Sequence, residues 1–297
     1  MHKVLFVGLS PGFQKTMLFE KFEVNEVSRC KKYWFDVSGK CINSARVFSQ
    51  LGGNSLCLTQ VGGCSTEKFI SLAQKSVNLC PVLTEVEPRI CYTIINESDG
   101  TISELVVNEP EAVLGEVEHN FIEKFNELVP NYSAVVISGS RLSGFSDKII
   151  PRIVEKSKKL NKLVFADYRN EDLKNSFINE RIRPDFIKIN MQEFYDTFHN
   201  KKNDFNFENE LKELTLVYNN VFIITQGAKE TVYCDRGNIG SFLPEKIKAL
   251  NPIGCGDSFT SGLVMGVLDG KNLLDALKQG NETAKMNALN IRPGFIK

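Results

Sequence analysis

A carboxylate directly behind two glycines is the strongest chemical signal in the chain. Residues 251–259 read Asn-Pro-Ile-Gly-Cys-Gly-Asp-Ser-Phe, which puts Asp257 where a helix would begin. A helix N-terminus carries about half a positive charge, and flanking glycines leave its N–H groups accessible to a phosphate. A base facing that phosphate favours phosphoryl transfer. The structural alternative is that Asp257 caps the helix and Gly254 forms a turn.

The charge balance and the cysteines limit the class of partner. Lysine plus arginine and aspartate plus glutamate number 36 each, so no overall field draws the chain to nucleic acid or to an anionic membrane surface. The eight cysteines include no CxxC pair, which indicates reduced thiols rather than a zinc site. The first apolar run, at residues 4–9, is too short for the hydrophobic region of a signal peptide, and no run approaches a membrane span. We expect a cytoplasmic protein that holds any anionic ligand by local groups.

Short apolar runs alternate with helical patterns along most of the chain. Five runs have the character of buried strands: residues 4–8, 134–138, 163–166, 186–189 and 221–225. Residues 44–51 and 147–160 carry apolar side chains at helical spacing. This alternation predicts an α/β fold with a mostly parallel sheet and helices on both faces. Ligands of such sheets bind at the carboxyl ends of the strands.

Two segments break the alternation and predict antiparallel hairpins outside the main sheet. Residues 16–36 mix charged and aromatic side chains, and residues 89–107 alternate around a turn at Ser98-Asp99-Gly100. Four such strands suit a flap over the ligand site or a pairing surface for a second subunit. No repeat or linker divides the chain, so we expect one domain over residues 1–297, with lid segments at about 11–36 and 88–108.

Two further loops carry groups that can bind a ligand, namely polar side chains in one and free backbone amides in the other. In Ser-Gly-Lys-Cys-Ile-Asn at residues 38–43, Gly39 permits close approach, Lys40 supplies charge, and Asn43 both donates and accepts hydrogen bonds. A capped loop without a ligand is the alternative. Ser138 opens a Ser-Gly-Ser loop after a strand, and an ordinary turn is its alternative.

Two later strands end in residues suited to a nucleotide and its metal. Asn190 and Glu193 have the spacing of a capping box, and the same oxygens suit the outer shell of a hydrated magnesium ion. Thr225 and Gly227 close the next strand, where they would contact phosphates or simply enter a hairpin. Each motif has a structural alternative, but their order along the chain is specific.

These motifs resemble those of the ribokinase-like (PfkB) carbohydrate kinases. Residues 251–258 are similar to Asn-Pro-Val-Gly-Ala-Gly-Asp-Ser in the phosphosugar branch of that family. Residues 39–47, Gly-Lys-Cys-Ile-Asn-Ser-Ala-Arg-Val, are similar to its Gly-Lys-Gly-Ile-Asn-Val-Ala-Arg-Val. The branch includes 1-phosphofructokinase, tagatose-6-phosphate kinase and the minor 6-phosphofructokinase, and the resemblance extends from Val4 to about Leu289.

The resemblance implies a fold, two co-substrates and a set of residue roles. The expected fold is a ribokinase-like three-layer sandwich with a mostly parallel central sheet and a small β-sheet lid, and the expected cofactors are ATP and Mg²⁺. Asp257 would take the proton from the attacking sugar hydroxyl, with backbone amides for the phosphoryl group from Gly254, Cys255 and Gly256. The nucleotide would lie along Lys188, Asn190, Glu193, Thr225, Gly227 and Asn287, with the metal at Asn190 and Glu193 through water. The substrate would contact Gln14, Arg29, Gly39, Lys40, Asn43, Arg89 and Ser138.

Three cations and one amide bear on the identity of the substrate. Arg29, Lys40 and Arg89 match positions where the phosphosugar branch gathers positive charge, and charge-assisted bonds hold phosphate strongly. The usual sugar-binding aspartate of the family is Gln14 here, within Ser-Pro-Gly-Phe-Gln-Lys-Thr at residues 10–16. An amide both donates and accepts, so we expect the pattern of hydroxyls that it reads to differ from that of a carboxylate.

Three further positions depart from the family motifs. Ser38 and Cys41 replace glycines of the first motif, and Cys255 replaces the alanine of the second. Cys255 is interpreted as a small packing residue, with a reactive thiol of lowered pKa at a helix N-terminus as the alternative.

The leading hypothesis is an ATP-dependent phosphosugar kinase most like 1-phosphofructokinase, with Asp257 as general base. Two alternatives stay open: a kinase of a free sugar or nucleoside on the same fold, and a non-catalytic relative that binds a sugar phosphate or a nucleotide. Retention of Asp257 argues against the second, since a pure binder has no use for a base. The expected partners are these small molecules, with a homodimer through the lid as one expected assembly, and neither nucleic acid nor membrane.

Overall fold

The computed structural model describes residues 1–107, 112–177, 183–198 and 206–297. The strands in these ranges are β1 (Lys3–Gly8), β2 (Gly12–Phe19), β3 (Lys32–Ser38), β4 (Asn54–Gly62), β5 (Leu79–Thr84), β6 (Arg89–Asn96), β7 (Ile102–Val106), β8 (Ala134–Ser138), β9 (Leu163–Asp167), β10 (Phe186–Asn190), β11 (Val221–Thr225), β12 (Thr231–Asp235) and β13 (Asn238–Phe242). The helices are α1 (Lys40–Gln50), α2 (Thr66–Ala73), α3 (Gly115–Leu128), α4 (Ile149–Lys159), α5 (Asn170–Asn175), α6 (Met191–Phe198), α7 (Phe207–Tyr218), α8 (Cys255–Leu268) and α9 (Leu273–Ala288). Within the described ranges, none of the helices combines the length and the apolar character that crossing a bilayer requires.

Nine strands form one sheet in the order β13-β12-β11-β10-β9-β8-β1-β4-β5. The strands from β11 to β5 run parallel, and β12 and β13 add an antiparallel hairpin at one edge. The register places Phe6 of β1 opposite Cys57 of β4 and Val136 of β8. The mostly parallel sheet predicted from the sequence is confirmed, and each of the five predicted runs forms one of its strands.

Helices cover both faces of this sheet because its central strands are apolar on both sides. In β1, Leu5 and Val7 pack into one buried cluster with α3 and α4, while Val4 and Phe6 pack into another with α1 and α8. Successive side chains of a strand point to opposite faces, so a single apolar run supplies both cores. The sheet and its two helical layers form the predicted three-layer sandwich.

The other four strands form a separate sheet, the lid, in the order β3-β2-β6-β7. β2 pairs antiparallel with β3 and β6 with β7, so both predicted hairpins are confirmed. The hairpins join through parallel pairing of β2 with β6, which places Gln14 opposite Cys91. The first hairpin starts at Gly12 rather than at residue 16, because residues 12–15 also pair with β3. Residue 108, the predicted end of the second lid segment, lies outside the described residues.

Helix α1 begins earlier than its sequence pattern predicts. The apolar periodicity indicates a helix over residues 44–51, but the N–H of Asn43 already donates to the Gly39 carbonyl at 2.9 Å, and the helix starts at Lys40. The first turn mixes buried apolar side chains with polar ones that face the ligand cleft, and this mixture interrupts the periodicity. Lys40 and Asn43 therefore lie on a rigid helix rather than in a loop.

Candidate active site

The carboxyl ends of neighbouring parallel strands meet beside the N-termini of two helices. The strand ends are Ser138 (β8), Asp167 (β9), Asn190 (β10) and Thr225 (β11). Helices α1 and α8 pack against each other, and Ser261 Oγ donates to the Ser44 carbonyl at 2.8 Å. This is the edge of the sheet at which the sequence predicts the ligand.

The glycine turn before α8 leaves the start of that helix open. Gly254 is the N-cap residue, with φ +82°, a conformation that favours glycine. A Cβ at Gly256 would lie 2.9 Å from Lys188 Nζ, so only glycine lets this ammonium group approach the first turn without a shift. No side chain of the described residues caps the helix. Asp257 is therefore not an N-cap, and the first turn retains N–H groups suited to an anion.

Asp257 lies in that first turn and is buried, with 7% of its surface exposed. Asn43 Nδ2 donates to its Oδ2 at 2.8 Å. Burial, and after it the nearby Asp167 carboxylate, raises the pKa of Asp257 to about 6, while Lys40, Asn43 and Lys188 oppose the rise. A carboxylate whose pKa lies this close to neutrality is suited to take a proton from a hydroxyl.

A second buried carboxylate, Asp167, joins the lysines of the site. Its Oδ1 accepts from Lys40 Nζ and its Oδ2 from Lys188 Nζ, both at 2.9 Å, and Thr260 Oγ1 donates to Oδ2 at 3.0 Å. Burial alone would raise the pKa of this carboxyl, but the two lysines outweigh burial and hold the pKa well below its usual range. Asp167 therefore stays ionised and fixes both ammonium groups beside Asp257.

Sequence reasoning missed Asp167. The predicted strand covers residues 163–166, whereas β9 extends one residue further and ends on this carboxylate. The available signal was a charged residue directly after a buried apolar run, at the position where the sheet rule places ligands. Arg169, two residues later, was missed for the same reason, and it lines the larger cavity described below.

Lys40 is held by two carboxylates. Besides Asp167, Glu193 Oε1 accepts from its ammonium group at 3.0 Å. Burial alone would lower the pKa of Lys40, but the carboxylates of Asp167, Glu193 and Asp257 raise it above its ordinary value. Lys40 therefore remains a cation at the centre of the cleft.

Asn190 and Glu193 form the capping box that their spacing indicates. Glu193 Oε2 accepts from the Asn190 N–H at 3.0 Å, and Asn190 Oδ1 accepts from the Glu193 N–H at 2.8 Å. Over the described residues, no three His, Cys, Asp or Glu side chains converge into a metal cage. Because the Glu193 oxygens already have partners, this donor set fits a hydrated Mg²⁺ reached through water rather than an ion bound directly by the protein.

Two cavities meet at Asp257. The larger, of about 480 Å³, lies beneath the lid, and the smaller, of about 310 Å³, lies along the ends of β10 and β11. The predicted substrate residues in the larger cavity are Gln14, Gly39, Lys40, Asn43 and Arg89. The predicted nucleotide residues in the smaller one are Lys188, Asn190, Glu193, Thr225 and Gly227. The structure thus brings the two predicted groups into adjoining cavities, both lined by Asp257.

Comparison with known sequences assigns a family to this arrangement. The family model of the pfkB carbohydrate kinases matches residues 1–294. The chain belongs to the pfkB family. Membership makes it a carbohydrate kinase and implies ATP as the phosphoryl donor.

Solved structures share the fold of this pfkB kinase. A point mutant of phosphofructokinase-2 from Escherichia coli superposes with a TM-score of 0.86 at 20% identity, over 99% of this chain and 95% of that one. A possible 1-phosphofructokinase from Thermotoga maritima gives 0.85 at 23% identity, over 98% and 93%. The Escherichia coli enzyme in complex with fructose-6-phosphate gives 0.82 at 18% identity, over 97% and 94%. At these identities the likeness establishes the fold.

Two predicted substrate residues of the pfkB kinase lie outside the larger cavity. Arg29 is exposed on the connection between β2 and β3. Ser138 is buried at the end of β8, and Gly139 and Ser140 line the cavity next to it. The Ser-Gly-Ser loop after β8 therefore lines the larger cavity through Gly139 and Ser140 rather than through Ser138.

Asn287, predicted to lie along the nucleotide, is fully buried. Its Nδ2 donates to the Ile253 carbonyl at 2.8 Å, and its Oδ1 accepts from the Gly294 N–H at 2.7 Å. Both ends of the amide are therefore engaged behind the glycine turn. Asn281, one helical turn and a half earlier on α9, lines the smaller cavity instead.

Two of the four departures from the pfkB motifs, Gln14 and Cys255, are held by neighbouring side chains. Gln14 Nε2 donates to Thr93 Oγ1 at 2.8 Å, so the amide is anchored to β6 of the lid while it lines the larger cavity. Burial raises the pKa of the Cys255 thiol, with Asn287 opposing the rise. The thiol is therefore protonated near neutral pH, as expected of a packing residue.

Proposed function

We propose that this pfkB kinase is an ATP-dependent phosphosugar kinase similar to 1-phosphofructokinase, with Asp257 as general base. The observation that carries the proposal is the position of Asp257, a buried carboxylate with a pKa of about 6 at the uncapped start of α8, between two cavities. A group at this junction faces an acceptor hydroxyl on one side and a transferring phosphoryl group on the other. Positioning of this kind is the main demand of phosphoryl transfer.

In the proposed mechanism ATP lies in the smaller cavity, with its γ-phosphate at the first turn of α8. The amides of Gly254 and Gly256 and the helix dipole stabilise the charge of the transferring group, while the Cys255 N–H is shared with the Pro252 carbonyl at 3.2 Å. Lys188, fixed by its ion pair with Asp167, adds positive charge beside that turn. Asp257 accepts the proton of the acceptor hydroxyl. The hydroxyl oxygen attacks the γ-phosphorus in line, and ADP leaves as the bond between the γ-phosphorus and its bridging oxygen breaks.

Asn190 and Glu193 would hold Mg²⁺ through water in this proposal, as their engaged oxygens allow. When bound, the ion neutralises negative charge on the phosphates. Lys40 and Lys188 supply fixed positive charge to the same region from the protein itself.

Positive charge in the larger cavity supports an acceptor that already carries a phosphate. Lys40 and Arg89 of the predicted trio line this cavity, and so does Arg169. Arginine can hold a phosphate by two parallel hydrogen bonds. The structure of a pfkB-fold relative with fructose-6-phosphate agrees with a substrate of this class.

One observation favours a free sugar or nucleoside as a second candidate acceptor. Lys40 is already paired with Asp167 and Glu193, and Arg29 lies outside the cavity, so the charge available to a phosphate is smaller than the trio predicts. Joint replacement of Arg89 and Arg169 by alanine distinguishes a phosphosugar acceptor from a free sugar or nucleoside. Loss of phosphate contacts should raise KM for a sugar phosphate by about 10- to 100-fold, whereas an unchanged KM would support the free acceptor.

Replacement of the base tests the proposed function. Asp257→Asn should retain nucleotide binding but lower kcat by about 10² to 10⁴. Release of ADP is measured in parallel with fructose-1-phosphate, fructose-6-phosphate, tagatose-6-phosphate, fructose, ribose and adenosine. Near-normal turnover by Asp257→Asn would remove its assigned role, and wild-type protein that releases no ADP with any acceptor would favour a non-catalytic binder.

We also propose that the lid pairs two copies of the chain. Tyr33 and Leu105 are 57% and 52% exposed, and the strand register places them on the same face of the lid, away from Gln14. Further exposed apolar side chains on or beside the lid are Val24, Val27 and Val107. An apolar surface of this kind is typical of a protein interface.

The cytoplasmic location stays a prediction from cysteine usage, and all eight cysteines are free thiols here.

A further inference from the structure

Arg46 is a fully buried arginine that lines neither the larger nor the smaller cavity. It lies on α1, three residues after Asn43. Its bonds within the described part of the chain go to neutral oxygens: Nε donates to Ser76 Oγ at 3.1 Å, Nη1 to Asn43 Oδ1 at 3.1 Å and Nη2 to the Val37 carbonyl. Burial lowers the pKa of Arg46 to about 10, so the group is charged at neutral pH. A buried cation is costly, and packing alone would be served better by an apolar side chain.

The guanidinium determines which way the amide of Asn43 points. A guanidinium only donates hydrogen bonds, so it is Oδ1 of Asn43 that must face Arg46. Ser38 Oγ also donates to this oxygen, at 3.3 Å. The Nδ2 group is thereby turned to the opposite side, where it donates to Asp257 Oδ2 at 2.8 Å. The two hydrogen bonds therefore point in the same direction. The guanidinium of Arg46 only donates, the amide of Asn43 accepts on one side and donates on the other, and the ionised carboxylate of Asp257 only accepts.

The C-terminal segment fixes Arg46 in this position. The Phe295 ring lies 4.5 Å from the guanidinium carbon of Arg46, and the Pro293 carbonyl accepts from Nη1 at 3.5 Å. The same ring stacks on Arg292 at 3.8 Å, and Arg292 pairs with Asp36 of β3 in the lid. Arg46 is therefore held between its own helix, α1, and the C-terminal segment.

We propose that Arg46 is a positioning residue, which orients the amide of Asn43 so that it binds one oxygen of Asp257 and leaves the other oxygen for the acceptor hydroxyl. This inference rests on the proposed role of Asp257 as general base. Without the guanidinium, the amide oxygen keeps only the weak bond from Ser38, so the amide is held less firmly and its Nδ2 bond to the carboxylate weakens. The ionised form of Asp257 is then stabilised less, and its pKa rises further.

The charged and titratable groups around Asp257 come from every element packed against it. They are Lys40, Cys41 and Arg46 on α1, Asp167 on β9, Lys188 on β10, Glu193 on α6 and Cys255 on α8 itself. The pKa of Asp167 lies far below that of Asp257, and those of Lys40 and Arg46 lie far above it. Burial raises the pKa of both thiols. Because phosphate groups of substrates also titrate at about pH 6, the assignment of a midpoint to Asp257 rests on its own carboxyl carbon, observed without substrate.

The test compares Arg46→Met with Gln50→Ala as the matched control. Gln50 Oε1 accepts from the Ile296 N–H at 2.8 Å and its Nε2 donates to the Gly294 carbonyl at 3.5 Å, so its loss loosens the same C-terminal segment without touching Asn43. The readouts are the pH dependence of kcat and the NMR titration of the Asp257 carboxyl carbon without substrate. Arg46→Met should move both midpoints to higher pH and lower kcat by up to about 10²-fold. Gln50→Ala should leave both midpoints in place.

A double variant shows whether Arg46 acts through Asn43. If it does, Arg46→Met should change kcat little when added to Asn43→Ala, because the amide that it orients is already gone. Independent, additive losses would overturn the inference, as would an unchanged Asp257 midpoint in Arg46→Met. Should that variant fail to fold, Arg46→Leu takes its place: leucine has no hydrogen-bond donor for Asn43, so the same upward movement is expected and its absence counts equally against the inference.

The carbon titration needs no turnover, which separates the two proposals. Wild-type protein that releases no ADP with any acceptor removes the proposed function, whatever the titration shows. A fully active enzyme in which Arg46→Met leaves the titration of Asp257 unchanged removes only the role of Arg46.

Discussion

At the scale of single residues, the site holds two buried carboxylates whose pKa values are shifted in opposite directions. Asp167 has two lysines as partners, and its pKa is held far below the usual value. Asp257 has an amide partner and a neighbouring carboxylate, and its pKa is raised from 3.8 to about 6. The folded protein therefore favours a proton on Asp257 that the unfolded chain gives up more easily. One carboxylate organises the charge of the site, and the other is ready to accept a proton.

This difference predicts that Asp257→Asn is more stable than the wild-type protein although it is less active. With a raised folded-state pKa, ionisation of Asp257 opposes folding increasingly as pH rises from 3.8 to about 6, and fully above that. The asparagine never ionises, so its free energy of unfolding at pH 7 should exceed the wild-type value by about 1 to 3 kcal/mol. Urea unfolding between pH 4 and pH 8 measures the gain, which should shrink toward the acid end.

Asp167→Asn is the matched comparison. Its depressed pKa means that the ionised group stabilises the fold fully above the usual aspartate value, a contribution that is lost only as pH falls through the folded pKa. This variant should therefore be less stable than wild type at pH 7. The stability changes of the two aspartate variants should therefore have opposite signs, and a gain in stability from Asp167→Asn would contradict the assignment.

At the scale of elements, the first turns of α1 and α8 supply the polar groups to which the proposed chemistry is assigned. Both helices begin after a glycine of positive φ, Gly39 and Gly254, and both present polar side chains to the cleft from a rigid backbone. The opposite faces of the same helices are buried in the core that they share. Because the core fixes the helices, it also fixes Asn43 against Asp257.

The close approach of Lys188 to α8 predicts the effect of a methyl group at Gly256. In Gly256→Ala the Cβ would meet Nζ at 2.9 Å and displace the ammonium group from the first turn. Stability should change little, since a flexible side chain can move and alanine favours the helix by up to about 1 kcal/mol. The kcat value should fall by about 10- to 10²-fold, as expected for lost charge stabilisation.

Gly115→Ala is the control for the effect that replacing glycine by alanine has on helix stability. Gly115 begins α3, and a Cβ there would meet no atom within 4 Å. Its kcat should equal that of the wild type. Steady-state kinetics and thermal unfolding of both variants decide the point, and an unaffected kcat in Gly256→Ala would argue that Lys188 has no part in the reaction.

At the scale of the whole molecule, the lid covers the larger cavity and exposes apolar side chains on its other face. Gln14 and Arg89 lie on its cavity side, whereas Tyr33 and Leu105 lie on the opposite side. A sheet that covers a ligand on one face and pairs with a second copy on the other would link assembly to the shape of the substrate site.

The proposed pairing predicts that Leu105→Glu dissociates the protein. A charge on the exposed face of β7 would have to be buried in the interface, so the variant should be monomeric where the wild type is dimeric. Leu243→Glu is the control, because Leu243 is 66% exposed and lies outside the lid. Light scattering across a concentration series measures the mass. A monomeric wild-type protein would dismiss the lid as a pairing surface.

The sequence by itself determined the parallel sheet and the lid hairpins, and most of the site residues that it predicts line one of the two cavities. Apolar runs, hairpin turns and glycine-flanked polar residues are local patterns, and their order along the chain is that of the pfkB family. Asp257 could be predicted because glycines at a helix N-terminus suit a phosphate and because this turn comes last in the specific order of motifs.

Only the tertiary structure decided how these residues act on one another. The pairing of Lys40 and Lys188 with Asp167, and the chain from Arg46 through Asn43 to Asp257, join residues up to 214 positions apart. The direction in which the pKa of each carboxylate shifts depends on burial and on charges brought close by folding, and no local pattern encodes either. Likewise, the burial of Asn287 and the position of Arg29 outside the cavity follow from packing of the C-terminal segment and the path of the lid.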